Sequence, residues 1–232
     1  MSSREKSIYD SGQMNYDAWG SVEDPTGKFI GEHIEQHIGS LEGKTLIDVG
    51  SGQGRFIPLW KHLSARGIQA VDPSKHHVQM SRKIFPDVPV FKGTLAEFHN
   101  DEKFDVATAI MVFEHFEDAV EPLRQLKDLV KPGGRVIVVS NALEYTLTPN
   151  YYYKMETEQR DDGSIRATVH TPHGTLNDIL RPAQAFISAA DQVGFSKIEH
   201  FDLLANDKLI SEAPRYAPYR GMPVRQMLIL TV

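Results

Sequence analysis

The sequence predicts an α/β fold: a Rossmann-like, seven-stranded, mostly parallel sheet with helices on both faces and an antiparallel last strand. Short apolar segments alternate with helical segments through residues 45–140, which favours a parallel sheet. These apolar segments are continuous rather than alternating, as expected for central strands that are buried on both faces. A glycine-rich turn follows the first of them, where an open α/β sheet places its ligand.

The elements follow in order along the chain. A helix is predicted over residues 25–40, because Asp24 can cap it, Pro25 suits its first turn and apolar residues recur at helical spacing. Short apolar runs predict strands at 45–49, 67–71, 88–91, 104–112 and 135–140. Helices are predicted between them at 55–66, 73–85 and 119–130. The sequence Lys131-Pro132-Gly133-Gly134 ends the last of these helices in a tight turn.

Residues 141–181 interrupt this alternation. Segments 154–160 and 164–170 flank Asp161-Asp162-Gly163, which predicts a small inserted β-hairpin. A helix from 182 to 193 and strands at 197–204 and 226–231 are expected after it, the two strands being joined by a proline-rich loop.

Composition limits the function. Of the 232 residues, 41% are hydrophobic and 24% are charged, as in an ordinary globular domain. The net charge of −6 makes nucleic acid an unfavourable partner. The absence of cysteine excludes disulfides and thiol nucleophiles. No apolar run is long enough to span a membrane, and the polar N-terminus lacks a signal core, so the cytoplasm is the expected location.

The most informative segment is residues 46–56, LIDVGSGQGRF. A buried strand ends in an acid, and a Gly-x-Gly-x-Gly turn leads into a helix. Glycine permits positive φ values and lets a ligand approach the backbone where a Cβ would clash. Asp72 ends the second strand, 18 residues after Gly54, where a carboxylate can accept both hydroxyl groups of a ribose.

Two cofactors fit such a turn. A dinucleotide site favours Gly-x-Gly-x-x-Gly, whereas the third glycine here comes one position earlier. Asp48 precedes the turn, and its charge would repel a pyrophosphate but attract an ammonium or sulfonium group. The charge argument therefore favours S-adenosyl-L-methionine, with S-adenosyl-L-homocysteine as product, over NAD. A plain glycine-rich turn with two surface acids is the remaining alternative.

Five segments, in this order, resemble the motifs of class I S-adenosylmethionine-dependent methyltransferases. They are residues 46–56, 70–74 (AVDPS), 91–98 (FKGTLAEF), 104–116 (FDVATAIMVFEHF) and 129–139 (LVKPGGRVIVV). The resemblance covers residues 40–140 closely and 176–232 loosely. Glu114-His115 and Gly194-Phe195 further resemble the small-molecule enzymes of the ubiquinone and natural-product type.

The resemblance implies a set of cofactor-binding residues. The set is Asp48, Gly50, Ser51, Gly52, Gln53, Gly54, Asp72, Pro73, Ser74, Thr94, Leu95, Ile110, Met111 and His115. By this resemblance, Asp48 borders the methionine moiety and Asp72 binds the ribose. Thr94 stands where many relatives have an acid, so a backbone carbonyl or Glu97 would bind the adenine amino group.

Methyl transfer is an in-line displacement from a sulfonium, so the protein mainly aligns donor and acceptor. A phenol or amine acceptor would also lose a proton, and histidine is the usual base near neutral pH. His115, after the fourth strand, is the first candidate base, with a structural role as its alternative. His170 and His173, at the end of the hairpin, are the second candidates, with a polar loop as the alternative. His77 is expected on a helix surface.

Substrate contacts are expected from the less patterned segments. Tyr9, Tyr16 and Trp19 would fold over the cofactor as a lid, with no functional role as an equal alternative. Asn141 would face the substrate after the fifth strand. Tyr152 would form a wall of an aromatic or apolar pocket, and a dimer contact or hairpin packing is an equal alternative.

The sequence thus predicts an enzyme that transfers a methyl group from S-adenosyl-L-methionine to an O or N atom of a small molecule, with a histidine base left open. The alternatives are a non-catalytic S-adenosylmethionine-binding or assembly module and an NAD-binding Rossmann protein. We expect a single domain over residues 1–232, without a metal, and a homodimer is left open. Its parts are an N-terminal arm or lid (1–40), a cofactor-binding half (41–140), a substrate-cap insertion (141–180) and a C-terminal helix with strands (181–232).

Overall fold

The computed structural model describes residues 23–148, 153–171 and 174–232. The strands are β1 (Thr45–Val49), β2 (Gly67–Asp72), β3 (Val90–Lys92), β4 (Phe104–Ile110), β5 (Val130–Asn141), β6 (Lys154–Gln159), β7 (Ile165–Thr171), β8 (Gly174–Leu180), β9 (Lys197–Leu204) and β10 (Pro223–Thr231). Seven of them form one sheet in the order β3-β2-β1-β4-β5-β10-β9. β10 is antiparallel to both its neighbours, whereas β1 to β5 pair in parallel. The predicted sheet is therefore confirmed.

Helices cover both faces of this sheet. They are α1 (Pro25–Ile38), α2 (Ile57–His62), α3 (Lys75–Ile84), α4 (Val120–Asp128), α5 (Leu143–Thr146), α6 (Ala183–Val193) and α7 (Asp207–Glu212). Residues of α1, α2 and α7, such as Ile30, Trp60 and Leu209, pack on one face. Residues of α4 and α6, such as Leu126 and Phe186, pack on the other. The sheet is thus buried on both sides, as its continuous apolar strands predict.

The site is positioned by the strand order. The first crossovers lead from β1 to β2 and β3, and the chain then returns to place β4 on the other side of β1. Open α/β sheets bind ligands in the crevice at such a reversal, outside the carboxyl ends of the strands. In the β1–β4 register, Asp48 pairs with Thr108, so both lie next to this crevice.

The insertion after β5 is larger than expected. The predicted hairpin is present as β6 and β7, but β8 adds a third antiparallel strand over residues for which the sequence predicts no element. The buried face of this small sheet carries Ile165, Ala167 and Val169. β8 contacts a short 3₁₀ helix, Phe113–His115, which follows β4. The insertion therefore reaches the carboxyl edge of the main sheet.

The expected proline-rich loop before β10 is also ordered into helices. Asn206 caps α7 by accepting a hydrogen bond from the backbone nitrogen of Leu209 at 2.8 Å. A 3₁₀ helix, Pro214–Tyr219, follows and buries Tyr216 and Tyr219. Prolines can begin such helices because their φ is fixed at a helical value, so the prolines did not indicate a loop here. Within the described ranges, no helix is both long and apolar enough to span a membrane.

Candidate active site

A cavity of about 770 Å³ lies at the carboxyl ends of β1, β2 and β4. It extends from the glycine turn to β8 on one side and to the start of β10 on the other. Of the predicted site residues that the structure describes, all line this cavity except Gly54 and His170. The cavity size lies in the range of about 300–1,000 Å³ that is usual for ligand sites.

The glycine turn brings the backbone to the cavity surface. Gly50 and Gly52 have φ values of 67° and 58°, in the left-handed region that favours glycine. A Cβ at Gly50 would overlap the Val112 side chain. At Gly54 the constraint is packing, because a Cβ there would lie 2.7 Å from Ile57 and 2.9 Å from Phe85. The third glycine therefore permits packing of the turn instead of lining the cavity.

Asp48 is a buried acid on the cavity wall. Its Oδ1 accepts a hydrogen bond from the Thr108 hydroxyl at 2.7 Å, and its Oδ2 accepts one from the Trp60 indole at 3.3 Å. Burial raises the pKa of Asp48 to about 6 in spite of these two bonds. A ligand ammonium or sulfonium group beside it would favour the charged form. The site is thus suited to a cation, as the sequence predicts.

Asp72 connects the glycine turn to the start of α3. Its Oδ2 accepts a hydrogen bond from Gly52 N at 2.8 Å, and its Oδ1 accepts one from Ser74 N at 2.9 Å. The imidazole of His77 lies 3.3 Å from the same Oδ1. The expectation that His77 lies on the helix surface is wrong, since it is 5% exposed and lines the cavity. The helical spacing of α3 turns this residue towards the acid.

Pro73, Ser74, Thr94 and Leu95 line one end of the cavity, where the resemblance places the adenine. Glu97 accepts hydrogen bonds from the backbone nitrogen of Thr94 at 2.8 Å and from its hydroxyl at 2.9 Å. The Glu97 carboxylate thus stabilises this turn, and it does not line the cavity.

His115 and Asp178 meet across the cavity edge. The Nδ1 atom of His115 lies 3.2 Å from Oδ1 of Asp178, which β8 supplies. Burial would lower the pKa of His115, but the hydrogen bond and charge of Asp178 outweigh it and the pKa is raised. The imidazole is 38% exposed because the cavity opens onto it, whereas the Asp178 side chain is 13% exposed. This pair can orient the ring and stabilise its protonated form.

Glu114 is a second buried acid beside His115. Its Oε1 accepts a hydrogen bond from the backbone nitrogen of Asn141 at 2.9 Å. Burial raises the pKa of Glu114, and the charge of Asp178 raises it further. Oε2 has no hydrogen-bond partner among the described residues, and the residue lines the cavity. It is therefore a candidate acceptor for a ligand N–H or O–H group.

A further part of the cavity wall, which we call the arginine wall, was not predicted from the sequence. It consists of Asp24, Thr26, Arg55, Arg215, Tyr216 and Arg225. A sequence signal was present: Arg225 precedes the apolar run of β10 and is only 8% exposed. A charged residue at a buried strand position is uncommon and often has a function.

His170 lies elsewhere. On β7 successive side chains face opposite sides, so Val169 lines the cavity and His170 points away from it. The His170 side chain is 45% exposed, with Nε2 3.5 Å from Glu156. Tyr9, Tyr16, Trp19, Tyr152 and His173 lie outside the described residues. In the part of the chain that the structure describes, no group of three His, Asp or Glu side chains could hold a metal ion.

The strand order, with a glycine turn and an acid at the ends of β1 and β2, defines a Rossmann-like methyltransferase fold that binds S-adenosylmethionine. The chain belongs to the methyltransferase-domain family, whose model matches residues 32–200. The predicted resemblance is confirmed. At the level of the family, the enzyme class and the S-adenosyl-L-methionine cofactor are confirmed with it.

Two named relatives differ in their acceptors. The chain is 31% identical over 114 residues to the ubiquinone biosynthesis O-methyltransferase of Alkalilimnicola ehrlichii. This match covers 46% of this chain and 45% of the relative. The chain is 30% identical over 123 residues to the tRNA U34 carboxymethyltransferase of Idiomarina loihiensis, which covers 49% and 38%. The matches thus span less than half the length of these curated relatives.

Solved structures support the fold over most of the chain. An S-adenosylmethionine-dependent methyltransferase from Mesorhizobium loti superimposes with a TM-score of 0.67 at 18% identity, covering 93% of this chain and all of the other. A putative one from Listeria monocytogenes gives a TM-score of 0.70 at 12% identity, covering 90% and 99%.

Proposed function

We propose that this protein transfers the methyl group of S-adenosyl-L-methionine to an oxygen or nitrogen atom of a small molecule. The single observation that carries the proposal is one continuous cavity. It joins the buried acid Asp48 and the ribose-side acid Asp72 to the His115–Asp178 pair. Donor and acceptor can therefore lie in line within one cavity, which is the main requirement of methyl transfer.

The residues of the first three strands fit the cofactor. Asp48 offers a buried carboxylate to its positive charge, and Asp72 offers one to the ribose hydroxyls. Thr94 and Leu95 line the end where the adenine would lie. The bound cofactor supplies the electrophilic methyl group, and the chain supplies position and charge.

His115 is suited to remove the acceptor proton. The 3.2 Å approach of Nδ1 to Asp178 favours the tautomer with the ring proton on Nδ1 and the lone pair on Nε2. With the cofactor bound, Nε2 would accept the proton that the acceptor O–H or N–H group loses on methylation. Asp178 stabilises the resulting imidazolium, as its effect on the His115 pKa indicates.

The test is methyl transfer from radiolabelled S-adenosylmethionine to panels of phenols and amines, with bulk tRNA as a separate arm because one relative is a tRNA-modifying enzyme. We expect S-adenosylhomocysteine to form with a member of the small-molecule panels. His115→Gln should lower kcat by about 10²–10⁴-fold, a much larger factor than any loss of S-adenosylhomocysteine affinity. Transfer to tRNA alone would refute the small-molecule proposal. Cofactor binding without transfer to any acceptor would favour a non-catalytic module.

A further inference from the structure

We infer that the arginine wall binds an anionic group, a carboxylate or a phosphate, carried by the methyl acceptor. The inference rests on the proposed function, because it assigns a chemical class to the acceptor of that same site. It concerns the end of the cavity formed by α1, the 214–219 helix and the start of β10.

The charges in the cavity are separated. The arginine wall brings three guanidinium groups to the cavity, against one described carboxylate, that of Asp24. Asp24 is already engaged, since its Oδ2 caps α1 through Gly27 N at 3.0 Å and also pairs with Arg55. Its Oδ1 lies 3.8 Å from Arg215. The cofactor side instead presents carboxylates, such as Asp48 and Asp72. An acceptor with a negative group therefore has one favourable orientation.

Arg225, on β10, and Arg215 are held by a hydrogen-bonded network. Arg225 donates from Nη2 to the Tyr216 hydroxyl oxygen at 3.2 Å and from Nη1 to the Val224 carbonyl at 2.6 Å. Arg215 donates to the Thr26 hydroxyl oxygen at 2.9 Å, and that oxygen lies 3.2 Å from the Tyr216 oxygen. These contacts fix the positions of the guanidinium groups, and a fixed planar donor matches carboxylate and phosphate oxygens.

The guanidinium groups of this wall also act on Tyr216. Burial alone would raise its pKa, yet the charges of Arg225 and Arg215, with a hydrogen bond to Thr26, lower it to about 8. The phenol therefore loses its proton more readily than usual, because positive charge surrounds it. The same potential favours an anionic ligand group.

The aromatic ring of Tyr145 lies beside these charges. The Arg225 guanidinium lies 5.6 Å from the centre of the Tyr145 ring, which packs edge-on against Tyr219. Tyr145 also lines the cavity. A small planar acid could thus place its ring near Tyr145 and its charge near the arginines.

A carboxylate could come from the acceptor or from the methionine part of the cofactor, and the experiment separates the two. Calorimetry on the protein saturated with S-adenosylhomocysteine would compare 4-hydroxybenzoate with 4-hydroxybenzamide, and phenyl phosphate with phenol. We expect the anionic member of at least one pair to bind at least tenfold more tightly. Arg215→Gln and Arg225→Gln should each remove that preference, while the neutral members bind as before.

Arg220→Gln is the matched control, because Arg220 follows the same 3₁₀ helix, is 60% exposed in its side chain and pairs with Asp207. It should keep the anion preference. If Arg225→Gln fails to fold, Arg215→Gln still decides, since the Arg215 side chain is 50% exposed. Equal affinity for anionic and neutral probes in the wild-type protein would overturn the inference.

The second arm measures S-adenosylhomocysteine and 5′-methylthioadenosine, which lacks the amino-acid part. If the arginine variants weaken the first ligand alone by tenfold or more, the wall binds the cofactor carboxylate and the inference is wrong. Unchanged affinity for both ligands supports an acceptor site. Failure of the wild-type protein to bind S-adenosylhomocysteine would refute the proposed methyl transfer, whereas anion preference measured on the free protein would still decide the role of the wall.

Discussion

Thr108 on β4 donates its hydroxyl hydrogen to the Asp48 carboxylate on the neighbouring β1, with the two oxygens 2.7 Å apart. The two residues are partners in the register of the parallel pair, so strand pairing sets the contact. It lies at the point where the strand order reverses. The buried acid is therefore held in place by the fold itself, before a ligand is bound.

Asp48→Asn should stabilise the free protein at pH 8 and abolish its stabilisation by S-adenosylhomocysteine. Raising the pKa from 3.8 to about 6 corresponds to up to about 3 kcal/mol of stability, which is present at low pH and lost as the pH rises through 6. The variant lacks this loss and should be more stable. The net gain should be reduced to about 1–2 kcal/mol, because the amide has one acceptor oxygen whereas the carboxylate accepts from both Thr108 and Trp60. Urea unfolding at pH 4.5 and pH 8 measures the difference.

Asp105→Asn is the control of opposite sign. Burial raises the pKa of Asp105, but the hydrogen bonds from Lys131 and Thr45 outweigh burial and lower this pKa to about 2. Its contribution to stability is present above its unfolded pKa and is lost as the pH falls through 2. The asparagine variant should therefore be less stable than wild type at pH 8. An Asp48→Asn protein that is also less stable at pH 8 would contradict the role given to burial.

Asp178→Asn should lower the pKa of the His115 imidazole. The Asp178 carboxylate raises that pKa, so its removal favours the neutral ring at a lower pH. Nuclear magnetic resonance of histidine-labelled protein follows the titration without an acceptor. His170→Asn, on the opposite face of the insertion, should leave the His115 titration unchanged. Where an acceptor is available, the acid limb of the rate profile should move to lower pH with the variant and kcat should fall.

Gly50→Ala should be more damaging than Gly52→Ala, although both glycines have left-handed φ values. Each alanine costs about 1–2 kcal/mol for that conformation. At Gly50 the added Cβ also overlaps Val112, whereas at Gly52 no heavy atom lies within 4 Å. Urea unfolding and S-adenosylhomocysteine calorimetry should separate them. Equal losses in the two variants would show that the Val112 contact is easily relieved.

Arg181→Met should destabilise the protein and loosen the turn that carries His115. Arg181 is 3% exposed and donates to the carbonyls of Phe113 and Phe116 at 2.7 and 2.6 Å. Loss of both charged donors should cost about 2–4 kcal/mol in urea unfolding. Arg166→Met is the control, since its pair with Glu117 is exposed and should contribute less than about 1 kcal/mol.

The main sheet could be predicted because its signals are local. Buried strands such as residues 104–110 are mostly apolar, and Asp24-Pro25 and Gly194 mark helix ends through capping and a left-handed turn. β8 was missed because its polar residues, including Asn177 and Asp178, hide the alternation, and only its pairing with β7 makes it a strand. Its existence depends on a tertiary contact rather than on its own sequence.

The same difference separates the two halves of the site. The glycine turn, Asp48 and Asp72 lie within one stretch of 25 residues, so spacing alone brought them together. The His115–Asp178 pair and the contact between Thr26 and Tyr216 join residues 63 and 190 positions apart. Local periodicity does not predict contacts between residues so far apart in the sequence. The charged Arg225 beside an apolar run was the one local signal of this half of the site.

Asp178 belongs to the inserted three-stranded sheet, whereas His115 belongs to the main domain. A graft that exchanges only residues 154–180 for the equivalent segment of a relative would therefore change the protonation behaviour of a histidine that the graft leaves untouched. Evolution of a new substrate preference through this segment faces the same constraint. Each new cover over the cavity must bring its own partner for the imidazole, or the chain must shift to acceptors that need no base.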